Sequence, residues 1–305
     1  PSDDVDWVDE ILRAAIVQSY NLSFTKADKK SNQLFSLGYY DQQGLVKLSD
    51  FKRVSGRFNS EYKLFDDHLR IGENISLSHS WGTSVSNNAA LGGTLYEAYK
   101  FQSITPVKNL EDEYAGNVFS DIPNPMGKLH RNKDNKDKKS RLVGNLYAEL
   151  HLFDGFMFKT SFGADYNNLY RRSFSPKYDE INASEKLSGL SNRNAWNFNW
   201  VFTNTLNYTK TFGDHTINAL LGLESLRNRY EYFTASRDGF PSDDPNFHFL
   251  DAGDVGTQKN SGSATEYSMV SYFGKIDYNY HDRYLVAFTL RRDGSSRLGN
   301  NKWGN

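Results

Sequence analysis

The chain contains no cysteine among its 305 residues, which excludes disulfide scaffolds and thiolate metal sites. Proline (7) and methionine (3) are scarce. No apolar run approaches the ~18 residues of a transmembrane helix, and mean hydropathy is −0.69. Net charge is −1, so there is no bulk attraction to nucleic acid or anionic lipid. An initiator methionine and a signal peptide are missing, and the chain stops just after a strand-plus-turn unit. It is therefore expected to be an internal piece of a longer protein.

Catalytic patterns are missing too. His68, His79, His130, His151, His215, His248 and His281 show no metal-ligand spacing, and there is no phosphate-binding glycine loop and no G-x-S-x-G elbow. No enzyme activity, cofactor or metal is expected. Asp243-Asp244 before Pro245 is read as a polar turn rather than a carboxylate pair or calcium ligand. Asp3, Asp4, Asp6, Asp9 and Glu10 are read as the first turn of a short amphipathic helix, where acids suit the helix dipole. The basic run from Lys128 to Arg141 is read as a solvated mobile loop, with a lipopolysaccharide-phosphate contact as the rival reading.

What is present is aromatic and alternating. Phe, Trp and Tyr make up 15% of a polar chain, and aromatics of this kind favour strands. Trp196, Phe198, Trp200, Phe202, Asn204, Leu206 and Tyr208 share one side. Asn197, Asn199, Val201, Thr203, Thr205, Asn207 and Thr209 share the other. Soluble strands usually run ~5–6 residues, so alternation over this length is unusual. At ~3.3 Å per step and ~45° tilt it covers roughly 28 Å, close to the ~25 Å apolar band of an outer-membrane barrel. Such a barrel escapes hydropathy, because half of each strand faces a polar lumen.

The pattern recurs in about ten segments. Short connections near 28–31, 63–67, 153–155, 211–214 and 281–283 alternate with longer ones at 42–50, 81–140, 171–193 and 230–265. Short turns at one end and long loops at the other is the barrel layout, with the long loops extracellular. One segment breaks the rule: Glu73 shares a side with Leu69, Ile71, Ile75 and Leu77. A bulge near Gly72 would turn it away from lipid.

The last segment carries the most specific signal. An apolar strand from Tyr284 runs into Arg291-Arg292-Asp293-Gly294-Ser295-Ser296-Arg297-Leu298-Gly299, followed by Trp303. This resembles the signature of the SusC/RagA family, the TonB-linked nutrient importers of the Bacteroidetes outer membrane. Asp6-Trp7-Val8-Asp9-Glu10-Ile11, Ser36-Leu37-Gly38-Tyr39-Tyr40-Asp41, Phe51-Lys52-Arg53 with Arg57 and Asn59, and Ser271-Tyr272-Phe273-Gly274-Lys275 resemble the family in order and spacing. Leu298 replaces its usual Phe. The signature residues are Arg292, Asp293, Gly294, Ser295, Ser296 and Trp303.

The resemblance implies an all-β chain: about ten antiparallel strands of a 22-stranded transmembrane barrel, with the plug domain outside this segment. The expected organisation is an entry helix or linker at 1–15 and partial barrel at 16–305. The implied function is TonB-dependent import of oligosaccharides or peptides across a Gram-negative outer membrane. A SusD-like lipoprotein and the TonB–ExbB–ExbD complex would be its partners. The alternatives are a siderophore- or cobalamin-type TonB-dependent receptor and a secreted β-rich glycan-binding protein. Candidate solute contacts, in the lumen or at its rim, are Arg53, Arg57, Asn59, Asn197, Asn199, Thr203, Arg291 and Arg297. For the signature itself a tight turn is favoured, with Gly294 supplying positive φ and Asp293 pairing with an arginine.

Overall fold

In the computed structural model, residues 4–85 and 92–299 are described, together with the backbone of 303–304. The long strands are β1 (Val17–Ala27), β2 (Ser31–Gln43), β3 (Asp50–Leu64), β4 (Leu69–Gly82), β5 (Asp137–Phe153) and β6 (Phe156–Ser175). After a small hairpin of β7 (Tyr178–Glu180) and β8 (Ala183–Glu185) come β9 (Gly189–Phe212), β10 (His215–Asp238), β11 (Lys259–Tyr280) and β12 (Tyr284–Ser295). A two-residue β13 (Trp303–Gly304) ends the sheet.

The ten long strands and β13 form one antiparallel meander in chain order, with β7 and β8 set apart. The local reasons lie at the turns. Asp28 accepts from the amides of Lys30 (2.8 Å) and Ser31 (2.7 Å), closing the β1–β2 turn. His281 and Asp282 both take positive φ (57° and 52°) in the three-residue connection 281–283, where the Arg283 amide donates back to the Tyr280 carbonyl at 3.0 Å. At the other end, residues 44–49, 83–136, 176–188 and 239–258 make the long connections.

Register then assigns every side chain to a face. Tyr20, Leu22 and Phe24 align with Tyr39, Leu37 and Phe35, and these with Val54, Gly56 and Phe58. The row continues through Ile75 and Leu77 to Leu142, Leu146, Phe162, Tyr166, Phe198 and Phe202. It ends on Leu221, Ile276, Phe288 and Leu290. Many of these are exposed even on strands paired along both edges: Leu221 is 66% accessible, Leu77 55% and Leu146 54%. A contiguous apolar surface of this extent needs a non-aqueous neighbour, and lipid on the outside of a barrel supplies it.

Glu73 is a correction. The β3–β4 ladder runs unbroken through Glu61–Gly72 and Ser60–Glu73, so there is no bulge at Gly72. Glu73 stays on the apolar face and accepts a hydrogen bond from the buried Ser60 hydroxyl. Gly72 answers a different need: a Cβ there would come within 2.4 Å of the Tyr147 ring, which covers it on the polar face.

The strands also reach further than the alternation alone indicates. β9 and β10 have 24 residues each and β11 has 22, so the connections expected at 171–193 and 230–265 shrink to 176–188 and 239–258. Toward these extensions polar residues predominate, and the Arg227–Glu266 pair across strands (2.8 Å) and the Arg229–Glu231 pair within β10 (2.8 Å) interrupt the apolar row.

The buried core lies outside the sheet, at the long-loop end. Helices α1 (Trp7–Ile11), α2 (Thr94–Lys100) and α3 (Pro125–Asn132) bring together Trp7, Ile11, Val46, Ala98, Phe101 and Leu129. Asp6 caps α1 by accepting from Val8 and Asp9. Trp7 packs edge-on to Phe101 at 4.6 Å, and its indole N–H donates to the Gln102 carbonyl. The first residues are thus docked against the 83–136 connection and the 44–49 turn. Burying side chains of this size stabilises by roughly 1.5–3 kcal/mol each.

Candidate functional site

The polar face of the sheet carries most of the predicted contacts. Even-and-odd placement on β12 splits the signature. Arg291 and Asp293 point to the polar face, while Arg292 and Gly294 belong to the apolar row with Tyr272 and Val270. Arg291 is the hub. Its Nε donates to Asp293 Oδ1 (2.8 Å), and its Nη2 donates to Glu224 Oε1 (3.1 Å) and to the Ser271 hydroxyl (2.9 Å). Thr203 donates to the other Glu224 oxygen at 3.3 Å, so β9, β10, β11 and β12 are tied together by one charged network.

The expected tight turn at Gly294 is not what forms. Gly294 is extended in β12, paired with Val270 on one side and Trp303 on the other, and it is not among the positive-φ glycines of the described residues. The ladder continues through Ser295 because both neighbours offer pairing partners. The chain turns only at Ser296 and Arg297. Ser296 there exchanges hydrogen bonds with Ser268, and the Arg297 guanidinium lies 3.9 Å from the Tyr267 ring centre.

The asparagines form a second group. Asn228 donates to Asn197 Oδ1 at 2.9 Å. Asn199 lies two residues further along β9 on the same face, between Asp165 of β6 and Asn228 of β10. Its Oδ1 is buried without a hydrogen-bond partner. Arg141 grips Asp165 with two bonds (3.0 and 2.7 Å), and Asn167 donates to the same carboxylate. On β3, Arg53, Arg57 and Asn59 also face this side, opposite Tyr40, Ser36 and Leu34. Arg53 lies 5.8 Å from the Tyr40 ring centre. They stand strands away from the Arg291 network, so the structure separates the predicted contacts into groups rather than one pocket.

Residues the pattern did not single out sit near the short-turn end. Tyr147 donates to Glu61 at 2.8 Å, and Lys159 bonds Glu149 at 2.8 Å while lying over the Tyr147 ring. Register puts all four on the polar face, and their pairing across β3, β5 and β6 is visible only once register is known.

At the long-loop end the basic run forms helix and strand, which corrects the reading of it as a loop. Residues 125–132 are α3, and 137–153 are β5. Lys128 pairs with Glu97 of α2 at 2.6 Å. Burial pushes the Glu97 carboxyl above its ordinary range, against the opposing pull of Lys128. Arg131 pairs with the buried Glu180 of the β7–β8 hairpin at 2.6 Å and stacks 3.8 Å from the Tyr178 ring centre. Glu180 also accepts from the Asn124 amide at 2.6 Å. Asn124 is fully buried, caps α3, and donates to the carbonyls of Val107 and Ala115. Asp244 caps a short 3₁₀ turn, which fits the polar-turn reading.

The arrangement offers hydrogen-bonding walls and a tied cap. Among the described residues no cluster of three or more histidines and acids could hold a metal ion.

Comparison with known proteins addresses the fold and the family. No family model matches the chain. A TonB-dependent receptor of Formosa agariphila is 30% identical over 308 residues, covering 98% of this chain and 30% of the relative. The TonB-dependent receptor SusC of Bacteroides thetaiotaomicron is 27% identical over 323 residues, covering 99% of this chain and 31% of SusC. Among solved structures, the RagAB peptide transporter matches with a TM-score of 0.86 at 22% identity, over 99% of this chain and 34% of that one. The chain thus spans about a third of the length of the proteins it matches. Ten long antiparallel strands, the apolar outer row, the split signature and near-complete coverage by these relatives agree: the chain is a β-barrel segment of the SusC/RagA family of TonB-linked outer-membrane proteins.

Proposed function

We propose that the full-length protein imports oligosaccharides or peptides across the outer membrane in a TonB-dependent step, without chemical change to the solute. A SusD-like surface lipoprotein would capture solute over the long-loop end. The TonB–ExbB–ExbD complex would act through parts of the protein outside this segment. The observation that carries the reading is the alignment of nearly the whole chain with SusC-type receptors, joined to a polar face rich in Asn, Ser, Thr and Tyr. Such side chains offer donors and acceptors to hydroxyls and peptide groups alike. Arg53, Arg57, Asn59, Asn197, Asn199, Thr203 and Arg291 are the proposed lumen contacts, and Arg297 the rim contact.

Uptake of labelled oligosaccharide and peptide pools by cells with and without the full-length gene tests this, repeated in a strain lacking TonB. Loss of uptake in both deletions, and co-purification of a surface lipoprotein, is the expected result. Unchanged uptake of every pool in the gene deletion would reject it.

A further inference from the structure

We propose that Arg292 heads a binding seat for a phosphorylated lipid A-type glycolipid on the outside of the barrel. Arg292 is the signature residue that register places on the apolar row, opposite Tyr272, while its neighbours Arg291 and Asp293 face the other way. Directly below it on the same face is a groove of about 770 Å³, lined by Leu221, Tyr272, Gly274, Phe288 and Leu290 with Arg292 at one end. Leu221 and Tyr272, on strands paired along both edges, are 66% and 53% exposed, so the groove is open on this face. Gly274 forms its floor: a Cβ there would already meet Leu221 Cδ2 at 3.3 Å.

Depth decides which leaflet is involved. Tyr284 starts β12 at the short-turn end, and Arg292 stands eight residues along it. At ~3.3 Å per residue and ~45° tilt this is roughly 19 Å up an apolar band of ~25 Å. Arg292 therefore lies near the long-loop boundary, where its long side chain can carry the guanidinium to headgroup level. Lys275 also borders the groove but pairs with Asp277 at 2.8 Å, and an apolar groove with Arg292 at its outer end is complementary to an acyl chain with an anionic head. Guanidinium is the side chain best matched to phosphate, and the phosphorylated lipid of the outer leaflet is the glycolipid.

The proposal rests on the outer-membrane barrel, which heat-modifiable migration of the full-length protein checks separately. The test is native mass spectrometry of that protein in detergent, titrated with monophosphoryl lipid A, with its dephosphorylated counterpart, and with phosphatidylglycerol. The variants are Arg292→Gln, Gly274→Phe, which fills the groove but keeps the cation, and Arg283→Gln at the short-turn end as a control. The expected result is selective retention of the phosphorylated glycolipid, weakened at least about tenfold by Arg292→Gln. Gly274→Phe should also weaken it, and Arg283→Gln should not. Equal retention by Arg292→Gln and the parent would overturn the proposal, provided both remain heat-modifiable. So would equal retention of the dephosphorylated lipid, or of phosphatidylglycerol.

Discussion

Arg131 and Glu180 lie 49 residues apart in sequence and meet at 2.6 Å, with the carboxylate almost fully buried. The pair joins α3 of the 83–136 connection to the β7–β8 hairpin of the 176–188 connection. Gly116 and Gly127 let the hairpin approach, because a Cβ on either would lie within 3 Å of Glu180 atoms. The cap is thus one unit built from three connections and the N-terminal helix.

Breaking that pair should loosen the cap while leaving the barrel intact. Glu180→Gln removes the charge facing Arg131 and weakens the acceptor for the Asn124 amide. Removing one partner of a buried pair costs about 3–5 kcal/mol. Faster proteolysis within 103–135, with unchanged heat-modifiability, is expected. A cleavage rate equal to the parent would refute the clamp.

Acid should open the 239–258 connection. His248 is 5% exposed and stacks 3.6 Å from the Phe174 ring centre. Burial, aided by Arg172 and opposed by Asp243 and Asp134, holds its pKa below the ordinary value. A depressed histidine contributes stability that is complete above its unfolded pKa of ~6.5 and is lost as pH falls through the folded value. Hydrogen exchange at 240–252 should therefore rise as the pH falls below about 6.5. His248→Phe should abolish the rise, and a pH-independent parent would sink the idea.

The Arg291 network should behave as coupled rather than separate pairs. Its members are partly exposed, so each link is worth only about 0.2–1 kcal/mol after solvent screening. A double-mutant cycle of Arg291→Leu and Glu224→Gln, read by urea titration of the full-length protein in vesicles, should show non-additivity of that size. Strict additivity would mean the contacts at 2.8–3.1 Å carry no mutual stabilisation.

Gly72 should tolerate no large side chain. Gly72→Leu would force the Tyr147 ring off its seat and break its bond to Glu61. Overpacking of this kind costs about 1–3 kcal/mol. A lower unfolding midpoint in vesicles is expected for Gly72→Leu, and a smaller drop for Gly72→Ala. Equal midpoints for Gly72→Leu and the parent would show that the ring moves freely.

The sequence by itself determined the strands of the membrane band and their two faces. Side chains alternate with period two, so Trp196 to Tyr208 revealed one apolar and one polar side without any coordinates. It also carried the family, because Arg291 to Arg297 follows an apolar strand in the right order. Glu73 shows the limit: alternation put it among apolar neighbours, but only the ladder shows that Ser60 stands beside it. The outer ends of β9, β10 and β11 were hidden because polar residues predominate there and the few aromatics, such as Tyr232 and Phe233, fall on both faces, which blurs period two. The tertiary structure alone decided the cap. Trp7 finding Phe101 and Leu129, or Arg131 finding Glu180, depends on how long connections fold back over the sheet. Contacts between residues so far apart leave no period in the chain for a reader to count.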